Sequence, residues 1–453
     1  MGLSLKKYIQ NVNSACPIKI EGQVNKVIGT VIEGNGPAVP VGGICHILSP
    51  GLDNPVVAEA IGFRDHKLLL MPLSRSEGVE PGSIIRAVQY EAKAYAGSDM
   101  LGRIIDGLGN PLDNGPPLMR GKKIPLYSQP MNPLHRARIS EPLDVGIKSI
   151  NSMVSVAKGQ RMAIMAGSGV GKSILLGMIA RYTKADVNII ALIGERGREV
   201  REFIERDLGD EGLKRSAVIV ATSDSSPLIR IRGAYLAATV AEYFRDQGKD
   251  VLLMMDSITR FAMAAREVGL SAGEPPASKA YPPSTFAHLP RLLERAGTSC
   301  SKGSITGLYT VLVEGDDMNE PIADAVRSIV DGHIVLNRDL ASKGHYPAVD
   351  VLSSVSRLMN DVMSKEHIAR AYEFRRILSD YAKIEDLVNL GAYVRGNNRN
   401  TDYALDMIDN LNSFLRQDIF VSSSLEKTYE EMGRILAGKK AVTAAAISRE
   451  KDK

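Results

Sequence analysis

Tryptophan is absent from this sequence of 453 residues, and cysteine is rare, with three residues. Cys16, Cys45 and Cys300 lie far apart, show no CxxC spacing and are odd in number. These features argue against a disulfide framework and against a zinc site. Isolated thiols are most simply explained by a reducing compartment, so we expect a cytoplasmic protein.

Long hydrophobic runs are missing as well. The apolar run at 187–193 is far shorter than the roughly 20 residues that a helix needs to cross a bilayer. The first ten residues have no signal-peptide core, and Lys6 stands where a myristoylation signal requires Ser or Thr. We therefore expect the protein to reach membranes only through partners.

A strong excess of one charge is also lacking. Lysine and arginine total 56 against 52 aspartates and glutamates, which gives a formal net charge of +4. This balance is too small to argue by itself for a nucleic-acid or membrane surface. The 44% of hydrophobic and 24% of charged residues are typical of an ordinary globular protein, and the length suggests about two or three domains.

The order of sequence patterns predicts four segments. Residues 1–19 show helical apolar spacing, and residues 20–92 contain short β-rich pieces between turn signals, which indicates a small β-barrel or sandwich. Residues 93–355 form a larger α/β segment, whose Gly- and Pro-rich part up to residue 142 is expected to be an irregular strap. Residues 356–453 return to helical spacing and predict a C-terminal helical domain.

Within the α/β segment, apolar strands alternate with helical stretches. Strands are predicted at 162–165, 187–193, 217–221, 251–255, 308–313 and 334–336. Helices are predicted at 173–182, 197–208, 228–247, 258–268 and 321–329. Because uniformly apolar strands joined by crossover helices are typical of sheets covered on both faces, this pattern predicts a mainly parallel sheet.

One stretch, RMAIMAGSGVGKS at 161–173, has the order strand, Gly-rich loop, helix. In that context AxxxxGKS predicts a phosphate-binding loop (P-loop), with Ala166 in place of the usual first Gly. The Lys172 ammonium would contact the outer phosphates, and the Ser173 hydroxyl would contact Mg²⁺. The residues expected to bind the nucleotide phosphates here are Gly167, Ser168, Gly169, Val170, Gly171, Lys172, Ser173 and Ile174. A Gly-rich turn without function is the alternative.

The predicted fold is therefore an α/β P-loop (RecA-like) core with a mainly parallel sheet, an N-terminal β-barrel and a C-terminal helical domain. Under this interpretation residues 93–355 are the nucleotide-binding ATPase domain.

Hydrolysis of a nucleoside triphosphate also needs an acid near the metal and a group that orients the attacking water. Asp256 ends the apolar stretch VLLMMD, so we expect it at the carboxyl edge of the sheet beside the P-loop. Glu195 and Arg196 follow another apolar strand and suit the holding of a water and the spreading of phosphate charge. Glu199, one helical turn on, could join the outer shell of the metal. A helix-capping Asp and a solvated helix face of paired charges are the alternatives.

These candidates lie in segments that resemble the catalytic subunits of rotary ATPases, and most of all the flagellar and type III secretion export ATPases. The segments are GERGREVREFIERDLG, MDSITRFAMAAREVGLSAGEPPA, YPPSTFAHLPRLLERAG and HYPAVDVLSSVSR. The resemblance covers nearly the whole chain. It implies ATP hydrolysis with Mg²⁺ that drives export of flagellar proteins, with secretion by an injectisome as the alternative.

The resemblance also implies a role for each candidate. Glu195 would position or deprotonate the water, Arg196 would orient that glutamate, and Asp256 would support the magnesium shell. Tyr346 would stack on the adenine, although a core tyrosine at a strand end would look the same. A second adenine-side residue is expected from the segment that contains Gln417, Ile419 and Phe420.

Arg357 matches the arginine finger that one subunit of the family inserts into the site of its neighbour. Because this chain holds both Glu195 and Arg357, one kind of chain could supply both halves of every site. The resemblance therefore implies a ring of identical subunits, a homohexamer by analogy. It further implies an export-apparatus regulator, a stalk protein and chaperone–substrate complexes as partners, no nucleic acid, and a place peripheral to the inner membrane.

Two alternatives of other classes exist. An RNA translocase is the first, because the transcription termination helicase has a similar core and a DSITR-like segment. Such a protein needs RNA-stacking aromatics on a basic face, whereas Phe63 and Tyr90 are the only aromatics in the predicted barrel. A ring subunit that does not hydrolyse ATP is the second, and Glu195 together with the intact GKS argues against it.

Overall fold

The computed structural model describes residues 20–74, 76–300, 302–313, 315, 317–396 and 398–437. The helix expected within residues 1–19 lies outside these residues, as does the end of the predicted C-terminal domain. None of the helices in the described part of the chain is long and apolar enough to cross a membrane.

Six strands near the amino end close into a barrel in the order β1-β2-β5-β4-β3-β6. They are β1 (Glu21–Ile28), β2 (Val31–Asn35), β3 (Ile44–Leu48), β4 (Val56–Arg64), β5 (Lys67–Pro72) and β6 (Ile84–Gln89). Alternate side chains point inward, so Ile32, Ile47, Leu70 and Ile85 are fully buried in one apolar core. The predicted β-barrel is confirmed.

The Gly- and Pro-rich stretch that follows is more ordered than expected. It contains β7 (Lys93–Gly97), β8 (Arg103–Asp106) and β9 (Gly121–Pro125). Strands β7 and β9 pair with each other, and β8 joins the far edge of the main sheet. The turn that follows β8 is stabilised by an ion pair, in which Nε of Arg103 donates to Oδ2 of Asp113 at 2.7 Å. The prediction of an irregular strap was wrong here, because short strands between turn residues leave little periodicity.

The main sheet has nine strands, with the path β19-β18-β12-β17-β15-β13-β14-β8 and β16 paired to β17. The short strands β10 (Pro142–Leu143) and β11 (Val156–Ala157) form a separate pair. The sheet strands not yet named are β12 (Arg161–Ala166), β13 (Val187–Ile193), β14 (Ser216–Ala221), β15 (Asp250–Asp256), β16 (Gly297–Thr298), β17 (Ser304–Leu312), β18 (Gly332–Leu336) and β19 (Val349–Ser356). Among the residues that the structure describes, only β16 and β19 pair antiparallel within this sheet. The mainly parallel sheet is confirmed.

Helices cover the sheet and follow it. Those up to β19 are α1 (Lys148–Met153), α2 (Lys172–Tyr182), α3 (Gly197–Glu202), α4 (Gly209–Lys214), α5 (Pro227–Arg245), α6 (Ile258–Ala272), α7 (Pro283–Leu293), α8 (Pro321–Ile329) and α9 (Arg338–Ser342), with a π-helical turn at Phe203–Leu208. After β19 come α10 (Met359–Val362), α11 (Lys365–Ala382), α12 (Glu385–Asn389), α13 (Arg399–Leu415) and helical residues 425–437. Sequence analysis did not predict α7 or β19, whose prolines and serines mask the pattern.

Alternate residues of each strand enter two cores on opposite faces of the sheet. Ala163 and Met165 of β12 face one core, and Met162 and Ile164 face the other. Phe374 of α11 and Phe414 of α13 belong to that second core, their rings 5.4 Å apart. The C-terminal helices are thereby fixed to the face of the sheet that also carries α2, the helix after the P-loop.

Candidate active site

The carboxyl ends of β12, β13 and β15 meet at one edge of the main sheet, because these strands are parallel and lie close in the order β12-β17-β15-β13. The P-loop follows β12, Glu195 follows β13, and Asp256 ends β15. Parallel α/β sheets bind ligands at this edge. The topology therefore gathers the chemistry-bearing residues of three separate segments.

The P-loop turns through two glycines with left-handed backbone, Gly169 (φ +78°) and Gly171 (φ +87°). A side chain at Gly171 would also meet the ring of Tyr346, at 3.4 Å from an added Cβ. Gly171 precedes α2, and no side chain caps the N–H groups at the start of that helix. An uncapped helix N-terminus behind a Gly-rich turn is suited to an anion such as a phosphate.

Lys172, the first residue of α2, lies between two carboxylates. Its Nζ is 2.5 Å from Oδ1 of Asp256 and 3.5 Å from Oε1 of Glu195. All three side chains are largely buried, with exposed fractions of 12%, 6% and 13%. Two buried acids thus share one base, which leaves a negative charge without its own partner.

This imbalance affects the pKa values of Glu195 and Lys172. Burial, reinforced by the charge of Asp256, raises the pKa of Glu195 to about 7. Burial would lower the pKa of Lys172, but the carboxylates of Asp256 and Glu195 outweigh that effect and raise it. Lys172 therefore stays charged, while Glu195 can gain or lose a proton near neutral pH.

Asp256 has a further partner that sequence analysis did not single out. The hydroxyl of Thr310, on the neighbouring strand β17, donates to Oδ1 of Asp256 at 2.6 Å. The only sequence signal was a hydroxyl within a buried strand, a feature that Ser304 and Thr306 of the same strand share.

Arg196 and Glu199 lie at the exposed start of α3. The guanidinium of Arg196 is 78% exposed and is 3.3 Å from Oε1 of Glu199. Glu199 in turn shares a hydrogen bond with Glu195 that helps to raise the pKa of Glu195. The structure thus links Glu199 directly to Glu195, and Arg196 to Glu199; that Arg196 orients Glu195 remains a prediction.

Arg260, on the first turn of α6, was not among the predicted residues. Gly194 packs so closely on it that an added Cβ would lie 2.7 Å from the Cβ of Arg260. Its Nε is buried and has no hydrogen-bond partner. A buried guanidinium N–H without a partner, next to the residue before Glu195, is suited to an anionic ligand. The sequence signal was its place in DSITR, directly after Asp256.

Tyr346 lies beside the end of the P-loop and is 44% exposed. Its carbonyl accepts a hydrogen bond of 3.0 Å from the backbone N–H of Gln417. The side chain of Gln417 is fully used: it donates to the carbonyls of Gly146 and Val421 and accepts from the N–H of Lys148. Gln417 therefore joins the C-terminal helices to Tyr346 and has no side-chain group free for a base.

Phe420 and Ile419 remain as residues that could face a base on this side. Phe420 is 75% exposed, and its ring centre lies 5.8 Å from the guanidinium carbon of Arg181. The carbonyl of Ile419 accepts hydrogen bonds from Arg181 and from the hydroxyl of Tyr182. The segment is thus held against α2, the helix that starts at Lys172.

Arg357 lies at the opposite edge of the sheet. It follows β19, its N–H donates to the carbonyl of Asp331, and Asp331 binds Arg161 at the start of β12. The length of β12, roughly 17 Å at about 3.3 Å per residue, separates that end from the P-loop. Arg357 is exposed. Within one chain, the structure does not bring Arg357 to Lys172, Glu195 and Asp256.

The site alone does not form a metal cage. Among the described residues, no three His, Cys, Asp or Glu side chains are grouped so that they could hold a metal ion. Magnesium that arrives with nucleotide phosphates needs only one or two protein oxygens, since phosphates and water supply the rest. The Ser173 hydroxyl and the Asp256 carboxylate are oxygen ligands of the type that Mg²⁺ prefers, so the donor set fits.

Comparison with known protein families gives matches over most of the chain. The nucleotide-binding domain of the ATP synthase alpha/beta family matches residues 146–356, and the beta-barrel domain of the same family matches residues 24–89. The T3SS EscN ATPase C-terminal domain matches residues 363–434.

Individual relatives are similar over nearly their full length. The flagellum-specific ATP synthase of Bacillus subtilis is 53% identical, over 90% of this chain and 93% of that protein. The assembled ATPase EscN from the type III secretion system of enteropathogenic E. coli superposes with a TM-score of 0.86 at 42% identity, over 91% of this chain and 99% of that chain. EscN in complex with its central stalk EscO gives a TM-score of 0.84 at 41% identity, with the same coverage.

Proposed function

This chain belongs to the ATP synthase alpha/beta family, within its flagellar and type III secretion export ATPases, and we propose that it hydrolyses Mg²⁺-ATP at Lys172, Glu195 and Asp256 to energise protein export. The observation that carries the proposal is the convergence of one ammonium and two buried carboxylates beside an uncapped helix N-terminus. Hydrolysis of a triphosphate needs these elements together.

Substrate binding begins at the P-loop. The N–H groups of residues 167–172 surround the β- and γ-phosphates, and Lys172 turns from Asp256 to the outer phosphates. Arg260, whose Nε has no partner, adds a second positive charge near the γ-phosphate. Tyr346 contacts the adenine, with Ile419 or Phe420 on the other side.

Magnesium bound with the triphosphate would neutralise developing phosphate charge and orient the phosphates. In this chain the Ser173 hydroxyl would hold it directly. Asp256 would bind the waters of the Mg²⁺ ion, and Glu199 would join the outer shell of the ion.

Glu195 acts on the attacking water. A general base works best when its pKa lies near the working pH, and the pKa of Glu195 is about 7. Lys172 moves to the phosphates when the substrate binds. The cations that then gather at the site favour the ionised form of Glu195, which accepts the proton of the water. Arg196 keeps the proposed role of orienting Glu195, acting through Glu199, which both residues contact.

The site is completed by a second copy of the chain. Arg357 is exposed and lies one strand length from its own P-loop, so it supplies the arginine finger to a neighbour. The edge strand β19 that precedes it exposes Leu352 and Val355, which suits contact with another subunit. We propose a ring of identical subunits, a homohexamer by analogy with the family.

The exported proteins are flagellar or are those of an injectisome; the named relatives support both equally. Because EscN forms a complex with its central stalk EscO, we propose a stalk partner here, together with an export-apparatus regulator and chaperone–substrate complexes.

The protein would work in the cytoplasm, peripheral to the inner membrane. We retain the division at residues 19, 92 and 355 as the proposed domain boundaries.

The proposal is tested by phosphate release from ATP at increasing protein concentration. Glu195→Gln should lower the rate about 10²- to 10⁴-fold, the range of general acid–base catalysis, while nucleotide binding persists. Wild-type specific activity should rise with concentration as rings assemble. Full activity in Glu195→Gln would refute the mechanism, activity independent of concentration would count against a ring that assembles in the assay, and stimulation by RNA would favour a translocase.

A further inference from the structure

We propose that Thr310 is a positioning residue: its hydroxyl holds Asp256 in place when Lys172 leaves that carboxylate for the triphosphate. This inference rests on the proposed ATPase function and assigns a role to a residue outside the P-loop and the acidic pair.

The geometry places two donors on one oxygen. Oδ1 of Asp256 accepts from the Thr310 hydroxyl at 2.6 Å and from Nζ of Lys172 at 2.5 Å. The carbonyl of Met255, the other acceptor near this hydroxyl, is farther away at 3.3 Å. The single proton of the hydroxyl is therefore directed to Asp256.

The Thr310 hydroxyl is shielded from bulk solvent. Thr310 is fully buried, and Asp256 is only 5% exposed. Thr310 lies between Tyr309 and Val311 of strand β17, both fully buried, where a hydroxyl without a partner would be unfavourable. The partner of the Thr310 hydroxyl is the carboxylate of Asp256, so the residue at this position of β17 affects a residue of the candidate active site.

Lys172 has to change partners during the cycle. Its ammonium binds Asp256 in this structure and must contact phosphate when the substrate is bound. A buried carboxylate that loses its donor is strongly destabilised. With Thr310 still donating to Oδ1, Asp256 keeps one hydrogen bond and its orientation, so the transfer of Lys172 is less unfavourable.

Removing the hydroxyl should consequently weaken nucleotide binding, because Lys172 then remains with Asp256. The lost hydrogen bond is to a charged group, a class whose removal corresponds to roughly a 10- to 100-fold change in an equilibrium constant. Thr310→Val should lower the affinity for a non-hydrolysable ATP analogue by that factor and raise the Mg²⁺ concentration needed for half-maximal binding.

Three further variants separate positioning from stability. Thr310→Ser keeps the hydroxyl and should bind within a few-fold of wild type. Thr306→Val is the matched control, since Thr306 is a buried threonine of the same strand whose hydroxyl accepts from the N–H of Gly159 at the other end. Thr306→Val should lose thermal stability as Thr310→Val does, but it should keep the wild-type affinity for the ATP analogue. Thr310→Ala replaces the valine variant if that protein does not fold.

The measurement is a fluorescence titration with the labelled analogue, with and without Mg²⁺, on the full chain. Equal affinity of wild type and Thr310→Val, or equal losses in the serine and valine variants, would overturn the inference. Lys172→Ala is measured beside them. If Lys172→Ala loses binding and Thr310→Val does not, this inference alone fails; if Lys172→Ala binds as wild type does, the proposed nucleotide site fails with it.

Discussion

At the amino end of the main sheet, Arg295 is buried and all three nitrogens of its guanidinium donate hydrogen bonds. It binds both oxygens of Glu242, the carbonyl of Leu126 and the hydroxyl of Thr239. At the carboxyl end, Lys172 is shared between Asp256 and Glu195, and the Nε of Arg260 has no partner. Each nitrogen of Arg295 thus has a partner, whereas Lys172 and Arg260 at the carboxyl end are under-satisfied.

This difference distinguishes a structural charge from a functional one. A saturated ion pair fixes the backbone that surrounds it and has no free group for a ligand. A cluster with too few partners holds perturbed protonation states and gains its missing contacts when a charged ligand binds. The cluster at the carboxyl end of the sheet has this second character.

The largest effect should come from Arg357, which lies at the amino end but is exposed. Arg357→Ala should lower the rate of hydrolysis about 10³- to 10⁵-fold, as expected for an arginine finger. Phosphate release from an equal mixture of Arg357→Ala and Glu195→Gln should exceed that of either variant alone, because roughly a quarter of the interfaces in mixed rings hold both intact residues. A mixture no more active than its components would place Arg357 outside the site.

Substitution of Arg295 at the amino end should lower the stability of the fold and not the activity. Arg295→Met should lower the free energy of unfolding by about 3–5 kcal/mol, because Glu242 is left buried without its partner. The remaining folded protein should keep the wild-type KM for ATP. Urea unfolding measures the loss, and the double variant Arg295→Met with Glu242→Gln should recover part of it. In contrast, Glu195→Gln removes one of two neighbouring like charges and should cost no stability.

The smallest effect concerns pH. The pKa of Glu195 is about 7 in the free enzyme, so the carboxylate becomes protonated and loses its action as a base when the pH falls through that value. The kcat/KM for ATP should therefore decrease about tenfold per pH unit below roughly pH 7. The residual activity of Glu195→Gln should lack this dependence. A wild-type profile that stays flat down to pH 5 would show that Glu195 is not the titrating base.

Much of the fold could be predicted from periodicity alone. The strands around 162–165, 187–193 and 251–255 were found because continuous apolar runs between helical stretches have few other structural interpretations. Strand β19 and helix α7 were missed because serines and prolines interrupt their apolar pattern, and tertiary packing compensates for that.

For the candidate site, sequence reasoning named residues that directly follow strands or lie in a known spacing. Lys172, Glu195 and Asp256 are of this kind, and the structure brings them together. Thr310 and Arg260 could not be identified as site residues in the same way. Their significance depends on which atom each one contacts or fails to contact, and no local pattern contains that information.

The sequence by itself determined the order barrel, P-loop sheet and helices, and the presence of a phosphate loop, because these depend on local periodicity and on glycine positions. Only the tertiary structure decided how the charges are partnered. The pairing of strands sets Lys172 and Thr310 on one oxygen of Asp256, gives Glu195 a pKa near neutrality, and places Arg357 a strand length away from its own P-loop. Burial and partnership are properties of contacts between distant segments, which is why they followed from the folded chain and not from its spacing.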